Sequence, residues 1–124
     1  THIQPNLVDD EPDVAIIHAG CNDIPDENLK AHDIANGIIN LGEICKKRNT
    51  NHVFISSLTC RSRNYLDVKV DDVNALLQHH CRMSNFQFID NSNITHSDLG
   101  DGLHLNENGK RKLANNYIRH LNRL

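Results

Sequence analysis

The chain has 124 residues, 38% of them hydrophobic, with 13 basic and 16 acidic side chains, nine histidines and a net charge of −3. That length supports one domain able to bury roughly two-thirds of its extended surface without metal or disulfide staples. A net charge of −3 gives no electrostatic footprint for a nucleic-acid module, whose non-specific binding depends on an excess of Lys and Arg, and no apolar run approaches the ~18 residues of a membrane span. No signal-like segment opens the chain, which sets the expectation of an intracellular protein.

Ile3 to Val8 reads as a helix tail closed by Asp9-Asp10-Glu11-Pro12. Asp13-Val14-Ala15-Ile16-Ile17-His18-Ala19 is apolar on both faces, as suits a strand covered on both sides in a parallel sheet. His18 is read as a core histidine inside this strand, and Gly20-Cys21-Asn22-Asp23 with Pro25 as a turn. From Asn28 to Arg48 the positions Ala31, Ile34, Ala35, Ile38, Leu41 and Cys45 form a helical stripe, with Lys46, Lys47 and Arg48 where the macrodipole favours cations.

A second buried strand is expected over 51–58, a helix over 69–83 and a short strand over 86–90. The last helix is expected over 107–121, capped by Asn106. Its apolar face holds Leu113, Ala114, Tyr117, Ile118 and Leu121, and its outer face holds Lys110, Arg111, Lys112, Asn115, Asn116 and Arg119. Alternating strands and helices predict an α/β fold, a three-layer α/β/α sandwich around a parallel sheet.

Cys21, Cys45, Cys60 and Cys81 contain no CxxC, so each is expected to be a small buried hydrophobe in a reducing compartment rather than part of a disulfide framework. Adjacent His79 and His80 point about 100° apart on a helix, and no metal site is expected there. The 17 asparagines are scattered and mark no low-complexity tract.

In an open parallel sheet, ligands bind outside the carboxyl ends of the strands. Two segments bring useful chemistry to that edge. One is Gly20-Cys21-Asn22-Asp23, where Asn22 either closes an Asx-turn or donates its amide to an oxyanion. The other is the loop carrying Asp101 and His104, whose spacing lets the carboxylate accept the Nδ1 proton and leave Nε2 as a base. Either alone is common; the ordered pair is more specific.

With these blocks in this order the chain resembles the SGNH hydrolase family, the GDSL-type esterases and lipases. Gly20-Cys21-Asn22-Asp23 is similar to that family's Gly-x-Asn-Asp block, and Asp101-Gly102-Leu103-His104 to its terminal Asp-x-x-His block. Ile3-Gln4-Pro5 ahead of Pro12 to Gly20 is similar to SGNH domains of invertebrate and fish genomes, some carried by retroelements. The resemblance implies a flavodoxin-like sheet, no cofactor, and hydrolysis of a small-molecule, lipid or carbohydrate ester through an acyl-serine. It gives Asn22 the oxyanion donor's role, with Gly20 in the same turn, makes His104 the base and Asp101 its orienter, and leaves Asp23 a supporting part.

The family's Gly-Asp-Ser block has no match, so no nucleophile is assigned in this sequence. Ser56, Ser57, Ser97 and Cys21 lack the glycine elbow that exposes a nucleophile. The expectation is therefore a carboxyl-terminal portion of an SGNH domain, or a non-catalytic ligand-binding or assembly module of the same fold. A domain without its first strands would leave Val14 to Ala19 as an unprotected sheet edge, with Ile16, Ile17, Ile34, Ile38 and Ile39 short of partners, and could oligomerise through it.

Overall fold

A computed structural model describes residues 13–101 and 103–124. The chain runs β1 (Val14–Ile17), α1 (Ala31–Lys47), β2 (His52–Ser56), α2 (Leu66–Met83), β3 (Gln87–Ile89) and α3 (Glu107–Leu121), with short 3-10 turns at Cys21–Asp23 and His96–Asp98. The strands form one parallel sheet in the order β1-β2-β3. The proposed helix tail at Ile3–Val8 lies outside the described residues.

Side chains alternate across the strands, and this alternation divides the core. Ala15, Ile17, Val53 and Ile55 join α1 and α2 in one cluster through Ile34, Ala35, Ile38, Ile39, Val70, Val73 and Leu77. Phe54 turns to the other face, where its ring meets His120 of α3 edge-on at 6.1 Å between centroids. Two helices on one face and α3 on the other make the three layers. Among the described residues β1 pairs only with β2.

The expected shortage of partners is confined to one residue. Ile17, Ile34, Ile38 and Ile39 are buried, whereas Ile16 is half-buried on the face that α1 does not cover. Helix α1 ends where Asn49 takes a left-handed conformation at φ 65°, a conformation Asn tolerates after a helix. His18 lies just past the end of β1, and α2 starts three residues earlier than its apolar periodicity indicates, at Leu66. The earlier start comes from Asn64, whose side chain accepts from Leu66 N–H at 2.9 Å, and from Asp67, which accepts from Ser62 and Arg63 N–H.

Two expectations are corrected. Cys21 and Cys60 form a disulfide, with Cα atoms 5.9 Å apart, while Cys45 and Cys81 are free and buried. The bond forms because β1 and β2 are neighbours, so the segments leaving their carboxyl ends meet. It also removes the argument from unpaired cysteines for a reducing compartment.

The second correction concerns which side of α3 faces the sheet. Ala114 and Ile118 are exposed, whereas Asn116 is buried and Lys112 and His120 are half-buried. The surface beneath α3 offers polar partners beside the Phe54 ring. Asn116 Nδ2 donates to Asn91 Oδ1 at 3.0 Å and to Asn93 Oδ1 at 2.8 Å, and Tyr117 donates to Ser56 Oγ at 3.0 Å. Hydrogen bonding to fixed partners outweighs the apolar area that Ala114 and Ile118 would bury, because unpaired buried amides cost about 1–3 kcal/mol each.

Candidate active site

Both segments singled out in the sequence leave the sheet's carboxyl edge. The first follows β1. Gly20 has φ +111°, a left-handed conformation that L side chains rarely adopt, and a Cβ there would sit 3.0 Å from Ile38 Cδ1. Gly20 therefore permits both the sharp exit from β1 and the contact with α1. Its carbonyl accepts from Asp23 N–H at 3.0 Å, closing the 3-10 turn around Asn22.

Asn22 is exposed, and its side-chain amide is unspent among the described residues. Asp23 braces the turn through its backbone, accepting from Asp26 N–H at 3.1 Å, and its carboxylate points to solvent. Cys21, between Gly20 and Asn22, is tied through its disulfide to Cys60 in the segment after β2.

The second segment precedes α3. Leu99 and Leu105 form an antiparallel bridge, and Gly100 N–H donates to His104 O at 2.9 Å, so the chain between them is a closed loop. The Asp101 carboxylate is its organiser. Oδ1 accepts from His104 N–H at 2.7 Å and Leu103 N–H at 2.9 Å, while Oδ2 meets His104 Nδ1 at 2.7 Å. The imidazole beside it, then the backbone N–H groups of His104 and Leu103, hold the Asp101 carboxyl well below the usual carboxylate range.

An ionised Asp101 only accepts, so the proton of the pair lies on His104 Nδ1 and the neutral ring keeps its lone pair at Nε2. Both side chains are exposed.

The loop rests on a buried anchor that the sequence reading missed. Asp98 accepts from Lys112 Nζ at 2.8 Å, Thr95 N–H at 2.9 Å and Asn108 Nδ2 at 2.9 Å. The Lys112 bond, then the Thr95 N–H, bring its pKa down to about 2. Its backbone carbonyl accepts from Asn106 N–H at 2.8 Å, and Asn106 caps α3 by accepting from Gly109 N–H at 2.9 Å. A Cβ on Gly109 would lie 2.5 Å from the Asp98 carbonyl oxygen; glycine is what allows α3 to start against the loop. The one signal in the sequence is Lys112, fourteen residues on from Asp98, which apolar spacing alone places on the outer face of α3.

A further polar group sits under α3. His18 Nδ1 meets Ser56 Oγ at 2.8 Å, and Asn91 Nδ2 donates to Ser56 Oγ at 2.7 Å and Ser57 O at 2.8 Å. Ser56 Oγ thus has three partners with Tyr117 and is almost fully buried. It is a structural hydroxyl, out of reach of a substrate. Burial pushes the His18 pKa down and the Tyr117 pKa up.

The structure brings Asp101 and His104 together. Asn22, Gly20 and Asp23 share a second loop at the same edge of the sheet, and no hydrogen bond or ion pair among the described residues joins that loop to His104 or Asp101. Among the described residues no group of three His, Cys, Asp or Glu side chains is placed to hold a metal ion, and no helix is long and apolar enough to cross a membrane.

No family model matches the sequence, and no curated protein matches it. Among solved structures the chain is similar to the crystal structure of a candidate acylhydrolase from Bacteroides fragilis. The TM-score is 0.77 at 18% sequence identity, over 90% of this chain and 62% of that one. This chain therefore spans less than two-thirds of the length of that neighbour. The likeness is one of fold: an α/β domain with helices on both faces of a parallel sheet.

Proposed function

We propose that this chain contributes the base, its orienting carboxylate and an oxyanion donor to an SGNH-type ester hydrolase, and that the acyl-accepting serine is not among these 124 residues. The observation that carries the reading is Asp101, which fixes His104 at both its ring Nδ1 and its backbone N–H at 2.7 Å. Such a clamp sets the tautomer and the ring plane together, which a base must have settled before substrate arrives.

In this reading His104 Nε2 takes the serine proton as the serine oxygen attacks the ester carbonyl. The amide of Asn22 donates to the developing oxyanion, and His104 returns the proton to the leaving alcohol. Water then attacks the acyl-serine by the same route, releasing the acid. Gly20 supplies the turn that presents Asn22, and Asp23 braces it. No cofactor enters, and the substrate is a small-molecule, lipid or carbohydrate ester.

The absence of Gly-Asp-Ser from the sequence favours a second reading, a non-catalytic binding module of the same fold. Fluorophosphonate labelling of the longest natural product of the gene, followed by peptide mass spectrometry, separates the two. The hydrolase reading expects an adduct on a serine in a Gly-Asp-Ser context, lost in His104→Ala. A product without such an adduct is the binding module.

A further inference from the structure

Two cavities lined by described residues lie towards the carboxyl edge of the sheet, and they differ in how their polar groups are spent. The smaller, about 240 Å³, lies between α2 and the segments after β2 and β3. Several of its groups satisfy one another. Arg61 pairs with Asp71 at 2.7 Å, the Asn74 side chain bonds both Leu58 N–H and Leu58 O, and Ser57 Oγ accepts from Asn91 N–H.

The larger cavity, about 620 Å³, is an open groove between the amino ends of α1 and α2. It begins at Ile24, two residues after Asn22. Its floor is apolar and anchored in the core: Ile24 belongs to the main core cluster, and Leu29, Ala31 and Leu66 pack against it. Tyr65 stands at one wall with 79% of its surface exposed. Around the rim are Glu27, Lys30, Lys69 and Asp72. Here the side chains of Glu27, Tyr65 and Asp72 have no polar partner among the described residues, and Lys69 Nζ spends one proton, on Asp26 O at 3.0 Å.

We propose that this groove binds a neutral carbohydrate, with one face of a sugar ring on Tyr65 and the apolar floor and its hydroxyl edge on the charged rim. The volume lies within the range of roughly 300–1,000 Å³ common for small-ligand sites. Two cations and two carboxylates cancel around the rim, so a phosphate or other anion meets as much repulsion as attraction. An acyl chain would cover four charged groups with methylenes that cannot hydrogen-bond, at a desolvation cost. A saturated polyhydroxylated ring divides as the groove does: C–H faces for the aliphatic and aromatic surface, and hydroxyls that both donate to carboxylates and accept from ammonium groups.

The esterase reading would use the groove to hold the sugar part of an ester beside Asn22, but the binding itself does not depend on that reading.

The test is an NMR titration of the ¹⁵N-labelled protein with cellobiose and with N,N′-diacetylchitobiose, run beside octanoate and inorganic phosphate. At least one disaccharide is expected to move backbone amides within 24–31 and 65–69. Tyr65→Ala should weaken that binding about tenfold while leaving amide shifts elsewhere in place, since the ring is exposed. Asp72→Asn should weaken it severalfold. Binding in His104→Ala should equal wild type, so failure of the esterase reading leaves this result standing. The proposal is overturned if neither disaccharide moves these amides, if octanoate or phosphate binds them more tightly, or if Tyr65→Ala binds the sugar with wild-type affinity.

Discussion

Asp101 grips His104 twice, one carboxylate oxygen on the backbone N–H and the other on ring Nδ1, both at 2.7 Å. This makes the three-residue spacing a device for orientation, because the contact that bends the loop also selects the tautomer.

The first prediction concerns that device. Nitrogen-detected NMR of wild type, at a pH that leaves imidazoles uncharged, should show the His104 ring proton on Nδ1, and Asp101→Asn should mix the tautomers. Both residues are exposed, so Asp101→Asn and His104→Ala should each keep a cooperative urea transition. In a serine-bearing product, Asp101→Asn should lower kcat by roughly 10⁴-fold, as loss of the orienting carboxylate does in serine hydrolases. Wild-type turnover in His104→Ala would sink the catalytic assignment.

Helix α3 is predicted to be more sensitive at an asparagine than at an isoleucine. Asn116→Ala leaves Asn91 Oδ1 and Asn93 Oδ1 without their donor and should cost about 1–3 kcal/mol. Ile118→Gln, on the exposed side, should fall within about 0.5 kcal/mol of wild type. Chemical denaturation of both variants checks the orientation of the helix.

Acid should loosen the loop that carries His104 through Asp98. Its folded pKa, about 2, lies below the ordinary 3.8, so the unfolded chain takes up the proton first as pH falls. The stabilisation is present above about pH 4 and is lost between there and pH 2. Asp98→Asn should lower stability at neutral pH and flatten this part of the pH profile. An unchanged acid limb in the variant would remove Asp98 as its source.

Reduction should destabilise the protein. The Cys21–Cys60 bond closes a loop of 39 residues, for which chain entropy gives about 4 kcal/mol. Urea midpoints with and without a dithiol reductant should differ accordingly, and Cys21→Ser/Cys60→Ser should show no difference between the two conditions. Thiol counting under denaturing, non-reducing conditions should find two free cysteines. Four would mean that the bond does not form.

Patterns that depend on neighbours along the chain are legible in the amino-acid sequence by itself. Helices α1 and α2 and all three strands follow from apolar spacing, α3 follows from its Asn106 cap, and Asp101 finds His104 because three residues of loop suffice to join them. Relationships between distant segments are decided only by the tertiary structure. Nothing local in Cys21 or Cys60 announces a bond across 39 residues; it needs β1 beside β2. The inward turn of Asn116 and Lys112 needs the polar partners Asn91, Asn93 and Asp98, because an amphipathic pattern counts apolar residues and cannot see hydrogen-bond acceptors on another element. The groove between α1 and α2 has the same origin: Ile24 and Tyr65, 41 positions apart in sequence, line one cavity because two crossover helices begin side by side at one edge of the sheet.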